Sequence, residues 1–207
     1  LINDRLIIIT SRKLSKLDLK TLVEEILKAG CKNVILREKD LAEDEYEQLL
    51  NSLLSIFKIH KANLIVHKHL RIAAKYSLPI HLTSEQSIKE ARKKLGENII
   101  IGKSCHSLNE AVKAEEEGAD YIVFGPVFES ISKEGYGRQI SLEELNKVCK
   151  ALRIRIYALG GITPKNLHLC FKSGCYGIAV LGYVVMSENP AERVKELIDV
   201  ISNLLLE

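Results

Sequence analysis

Residues 98–125, NIIIGKSCHSLNEAVKAEEEGADYIVFG, decide the fold. The stretch opens on a short β-branched run (NIIIG, 98–102) and passes through SLNEAVKAEEEGA (107–119), where apolar residues recur three and four apart. It closes on a second apolar run, ADYIVFG (119–125), so the reading is strand, helix, strand. The helix carries its own signals: Ser107 and Glu110 make an S-x-x-E capping box, and Gly118 supplies a left-handed stop.

The same unit repeats in both directions along the chain. Apolar runs occur at LIIIT (6–10), NVILR (33–37), NLIVH (63–67), PIHL (79–82), RIYALG (155–160) and YGIAVLG (176–182), giving eight in all. Between them lie LDLKTLVEEILKAG, EDEYEQLLNSLLSIF and SLEELNKVCKAL, the first ending at Gly30 and the last capped by Ser141 and Glu144. Eight parallel strands, each followed by a helix, can close on themselves and leave no sheet edge, which predicts a compact α/β (β/α)8 TIM barrel. A doubly wound open sheet competes, but no G-x-G-x-x-G follows the first strand; GYGRQI has Gly135 and Gly137, then Ile140 in place of the third glycine.

The chain has 207 residues, 46% apolar and 28% charged, and no low-complexity tract divides it, so one domain over 1–207 is expected. Thirty basic against 27 acidic residues leave a net charge of +3, far from the excess of a dedicated nucleic-acid binder. Cysteines at 31, 105, 149, 170 and 175 form an odd set without C-x-x-C spacing, which reads as free thiols in a reducing compartment. No apolar stretch approaches a membrane span, so a cytoplasmic protein with no membrane partner is expected. The apolar residues of the last units could pack internally or against another copy, which leaves a homo-oligomer open.

In such barrels the working residues gather at the carboxyl ends of the strands. Here those ends carry Thr10, Arg37-Glu38-Lys39, His67-Lys68-His69, His81, Ser104-Cys105-His106, residues 124–133, Gly160-Gly161 and Leu181-Gly182. Glycines after the seventh and eighth strands let main-chain N–H groups approach an anion, which points to a phosphorylated small ligand; the alternative is that they only permit tight packing. The loop with Ser130, Ser132 and Lys133 could close over that ligand, or form a solvated turn. His67, His69 and His81 could hold a zinc or iron ion, although no acidic residue accompanies them and Lys68 opposes a cation.

With these residues placed, the chain resembles the superfamily of thiamine phosphate synthase and the TenI-like thiazole tautomerases. The resemblance rests on VILREKD, IGKSCHSLNEAVKAEEEGADYIVFGPVFES, ISK, and ALGGITPKN followed by GIAVLG, in that order at successive strand ends. It implies that Arg37 and Lys39 hold a pyrimidine diphosphate, with Ile35 where the family has glutamine and His67 where it has asparagine. Ser104 falls on a serine lining the pyrimidine site. Ser130 and Ser132 fall on two threonines that touch the thiazole, and Lys133 on a lysine that reaches the diphosphate. Gly160 or Gly161, with Leu181 and Gly182, would hold the thiazole phosphate through the main chain.

The departures are as informative. Two aspartates that hold magnesium in the synthases become Lys68 and Gln86, so no cofactor is expected, or Mg2+ if synthase activity is retained with Lys68 replacing part of its charge. The tautomerases' catalytic histidine falls at Pro126, which cannot transfer a proton. Substitute acid/base candidates are His81, His67 and His106, read as titrating near neutral pH, with Cys105 as a fourth. The leading expectation is an enzyme of thiamin biosynthesis that aromatises a thiazole phosphate or couples it to hydroxymethylpyrimidine diphosphate. A non-catalytic thiazole-phosphate binder is the alternative, and a hydrolase using His67, His69 and His81 the third.

Overall fold

The computed structural model describes residues 4–129 and 138–206. Its strands are β1 (Leu6–Ile9), β2 (Asn33–Leu36), β3 (Asn63–His67), β4 (Ile80–Leu82), β5 (Ile101–Cys105), β6 (Tyr121–Phe124), β7 (Arg155–Leu159) and β8 (Gly177–Val180). Helices α1 (Leu19–Lys28), α2 (Glu43–His60), α3 (Leu70–Tyr76), α4 (Ile88–Leu95), α5 (Leu108–Glu116), α6 (Leu142–Ala151) and α7 (Leu167–Lys172) alternate with them. After β8 come the short α8 (Gly182–Val185) and then α9 (Pro190–Leu204). The strands pair in parallel in chain order, and β8 returns to β1 through Leu6 and Ile178, closing the barrel. The (β/α)8 expectation is met.

Closure explains why the strand runs are continuously apolar. Leu6, Ile8, Val34, Leu36, Leu64 and Val66 face the helices, while Ile7, Ile9, Ile35 and Ile65 fill the barrel. Each strand is covered on both faces, and each such aliphatic side chain contributes about 1.5–3 kcal/mol on full burial. The interior is crossed by a column of rings running His67, His81, Tyr121, Tyr157 and Tyr176, with successive centroids 6.4, 5.6, 5.7 and 5.5 Å apart. Gly102 on β5 makes this possible, since a methyl there would collide with the Tyr121 ring.

Local signals mostly act as expected. Gly30 and Gly118 adopt φ of +104° and +90° after α1 and α5. Ser141 and Glu144 form a reciprocal capping box on α6, with bonds of 3.1 and 3.0 Å. At α5 only half of the box forms: Ser107 accepts from Glu110 N–H, but the Glu110 carboxylate takes the N–H of His106 instead. The fifth strand lies three residues later than the NIIIG run, at Ile101–Cys105. Its polar Lys103 and Ser104 are accommodated by specific partners, Gln86 O for the ammonium and His81 for the hydroxyl, which hydropathy cannot register.

Candidate active site

One end of β2 shows how the chain sorts charge. Arg37-Glu38-Lys39 continues the strand's alternation, so the two cations line a cavity at the barrel mouth and Glu38 turns away from it. Glu38 is buried and takes hydrogen bonds from Thr10 Oγ1 (2.7 Å) and Arg12 N–H (2.9 Å), while Thr10 Oγ1 accepts from Arg37 N–H (3.0 Å). Burial raises its pKa against these donors. Burial lowers the pKa of Arg37, opposed by the Glu38 charge. Lys39 is lowered by desolvation and then by the charges of Arg37 and Lys68, so this corner is cationic.

At the next strand the His67-Lys68-His69 reading is corrected. Lys68 adopts φ +62°, a left-handed turn that ends the two-residue alternation on which a shared imidazole face depended. His67 remains at the cavity wall, whereas His69 packs on Tyr46 with ring centroids 4.5 Å apart and its Nδ1 3.9 Å from Glu43. The three imidazoles do not converge, so the hydrolase reading loses its metal site. The expected titration near neutrality also fails for two of the histidines. Burial pushes His67 down to about 2, helped by the facing His81 and then by Arg37, Lys39 and Lys68, and burial alone pushes His81 down to about 3, so both are neutral rings at pH 7.

His81 is the middle residue of β4, with its Nδ1 3.2 Å from Tyr121 Oη and its Nε2 2.9 Å from Ser104 Oγ. His106 follows β5, and its Nδ1 donates to Gly125 O at 2.6 Å, which leaves Nε2 as the ring nitrogen not engaged by that carbonyl. Cys105 is overturned as an acid/base candidate: it lies in the layer between strands and helices, and burial pushes its thiol up to about 12.

The opposite wall is main chain. Gly160 and Gly161 adopt φ of +107° and +59°, and a methyl on either would run into the 126–129 segment. They share the cavity with Leu181 and Gly182 at the start of α8, and with Ile35 and Ser104. The cavity has a volume of about 370 Å³, within the ordinary range for a small-molecule site. Among the sequence candidates, Lys68 does not join the cavity wall, and Ser130, Ser132 and Lys133 lie outside the described residues. Pro126 lines the wall beside His106. Glu129, within the 124–133 stretch named from the sequence, lines it too. Sequence reading missed Ile9, Thr83, Thr163 and Met186, which also line it; Ile9 and Thr163 could have been found from their places beside Thr10 and after the Gly160-Gly161 turn.

Lys68 and Gln86, which the resemblance sets against two aspartates, do not fit magnesium. Lys68 carries an ammonium, and Gln86 has its amide engaged on both sides, Nε2 donating to Lys68 O (2.9 Å) and Oε1 accepting from Thr83 N–H (3.1 Å). Among the described residues no three His, Cys, Asp or Glu side chains are grouped to hold an ion. No helix of the described residues is long and apolar enough to cross a membrane.

Comparison with known proteins agrees with this geometry. The chain is 34% identical over 182 residues to thiamine-phosphate synthase of Caldicellulosiruptor saccharolyticus, covering 86% of this chain and 82% of that one. It is 30% identical over 200 residues to thiamine-phosphate synthase of Clostridium acetobutylicum, covering 95% and 94%. The solved structure of thiamine phosphate pyrophosphorylase from Pyrococcus furiosus superposes with a TM-score of 0.87 at 30% identity, over 97% of this chain and 96% of that one. The family described as thiamine monophosphate synthase matches residues 6–184, from the first strand through the glycine turn after the last. With the barrel, the cationic corner and the glycine wall in the order that this match spans, the chain belongs to the thiamine monophosphate synthase family.

Proposed function

We propose that this barrel couples a thiazole phosphate to hydroxymethylpyrimidine diphosphate, giving thiamine phosphate and diphosphate. The observation that carries the reading is one cavity with two walls suited to anions: Arg37 and Lys39 on the β2 side, and the side-chain-free backbone of Gly160, Gly161 and Gly182 on the β7–β8 side. One phosphorylated ligand needs one such wall, whereas two ligands need both.

In this reading the thiazole phosphate rests on the glycine wall and the diphosphate on Arg37 and Lys39. A C–N bond forms between the thiazole ring nitrogen and the pyrimidine's exocyclic methylene as the C–O bond to diphosphate breaks. The electron pair leaves with diphosphate, and the two cations stabilise the charge that develops there. Ile9, Ile35 and Met186 give the cavity apolar surface that limits water around the reacting carbon.

A second reading, proton movement within the thiazole phosphate, is favoured by His106, which lines the cavity with Pro126 and whose Nε2 is not taken by the Gly125 carbonyl. Incubating the purified protein with both substrates and following products by mass spectrometry tests the proposal: thiamine phosphate with one equivalent of diphosphate is expected. An isomerised thiazole without coupling selects the second reading. Binding of both ligands without any product overturns both readings in favour of a non-catalytic binder.

A further inference from the structure

We propose that His81 is a positioning residue whose tautomer, set by Tyr121, makes the Ser104 hydroxyl a hydrogen-bond donor to the cavity, so that the bound heterocycle must present an acceptor atom there. The chain starts in the core. Tyr121 is 1% exposed, and its hydroxyl lies 3.2 Å from His81 Nδ1 with no other partner among the described residues. Burial keeps the phenol protonated, so its single proton needs an acceptor. If Nδ1 carried hydrogen, the Tyr121 proton would be left unpaired in a dry interior. Nδ1 is therefore the acceptor. Because the buried ring is neutral, its one hydrogen sits on Nε2 and is donated to Ser104 Oγ at 2.9 Å. Ser104 has then accepted from the protein and keeps its own proton to give.

The ring is built into place. His81 stacks on Tyr121 at 29° and on His67 at 21°, and Gly102 leaves the space in which the Tyr121 ring lies. The polarity thus runs from Tyr121 through His81 to Ser104, which lines the cavity between the cationic corner and the glycine wall. An aromatic nitrogen with an in-plane lone pair satisfies such a donor, whereas a ring C–H or N–H at that place leaves the hydroxyl unpaired.

Naming a pyrimidine as the ring that supplies the acceptor rests on the coupling reading; the tautomer does not. Long-range 1H–15N correlation on ligand-free protein labelled at histidine, assigned with His81→Asn, reads the tautomer directly. The Nε2–H form is expected, and a predominant Nδ1–H form overturns the inference. In Tyr121→Phe, which keeps the ring, the Nδ1–H form is expected to appear. Affinity for hydroxymethylpyrimidine diphosphate falls roughly tenfold while that for inorganic pyrophosphate stays within about twofold, as expected for one lost hydrogen bond to the heterocycle. Equal weakening of both ligands, or of neither, overturns the inference. Failure of the pyrimidine diphosphate to bind the unaltered protein sinks the coupling reading, while the spectrum still decides the tautomer.

Discussion

Gly160→Ala tests the claim that the glycine wall exists because another segment presses against it. At φ +107° any L side chain is strained, and the added methyl would lie 2.6 Å from Pro126 Cβ, 2.7 Å from its Cα and 3.0 Å from Val127 N. The strain costs about 1–3 kcal/mol. Relief of the collision requires the 126–128 segment to move away. That motion lengthens the bonds from Val127 N to Leu159 O (2.8 Å) and from Phe128 N to Gly160 O (3.1 Å). Each such bond contributes about 1 kcal/mol, so the contact adds roughly 2 kcal/mol to the strain. Gly96→Ala is the matched control: its φ is +75°, and nothing lies within 4 Å of the added methyl, so strain alone applies. Urea midpoints of the two variants are the assay. Gly160→Ala should lose roughly 2 kcal/mol more than Gly96→Ala, which is about 4–8 °C in Tm for a chain of this size. Equal losses would refute the reasoning, because they would mean that the Pro126 segment yields freely and the glycine serves conformation alone.

Two further outcomes follow from the site's electrostatics. His67 and His81 have folded pKa values near 2 and 3, below the ordinary imidazole, so the unfolded chain binds more protons at acid pH and stability falls as the pH drops below the ordinary imidazole value. Between about pH 7 and 5 each should account for roughly 2 kcal/mol of loss, and His81→Asn should remove about half of that dependence; an unchanged slope in urea titrations counts against the buried neutral rings. Inorganic pyrophosphate should bind with equal affinity in EDTA and in magnesium, since the donors at positions 68 and 86 do not fit a divalent ion, and Lys39→Gln should weaken it about tenfold by calorimetry. Binding that collapses in EDTA would show that a metal is held there after all.

The eight β-branched runs and their spacing determined the barrel, because a strand covered on both faces must be apolar throughout and a helix must follow before the next parallel strand can form. The same logic located the rim, so Arg37, Lys39, Ser104, His106 and the glycines at 160, 161 and 182 could be named in advance and do share one cavity. Glu38 could be named too, but not its buried bond with Thr10, because two ends of a hydrogen bond 28 residues apart leave no local trace.

Tertiary structure alone decided which imidazole does what. His67, His69 and His81 read alike in the chain, yet one left-handed residue, Lys68, sends His69 out against Tyr46 and leaves the other two stacked in the interior. Their neutrality, the insertion of polar Lys103 and Ser104 into a strand, and the Tyr121 ring lying where Gly102 has no side chain all arise from contacts between separate βα units. Periodicity fixes which way a residue faces along its own element, while desolvation and hydrogen-bond partners belong to the space that several elements enclose together.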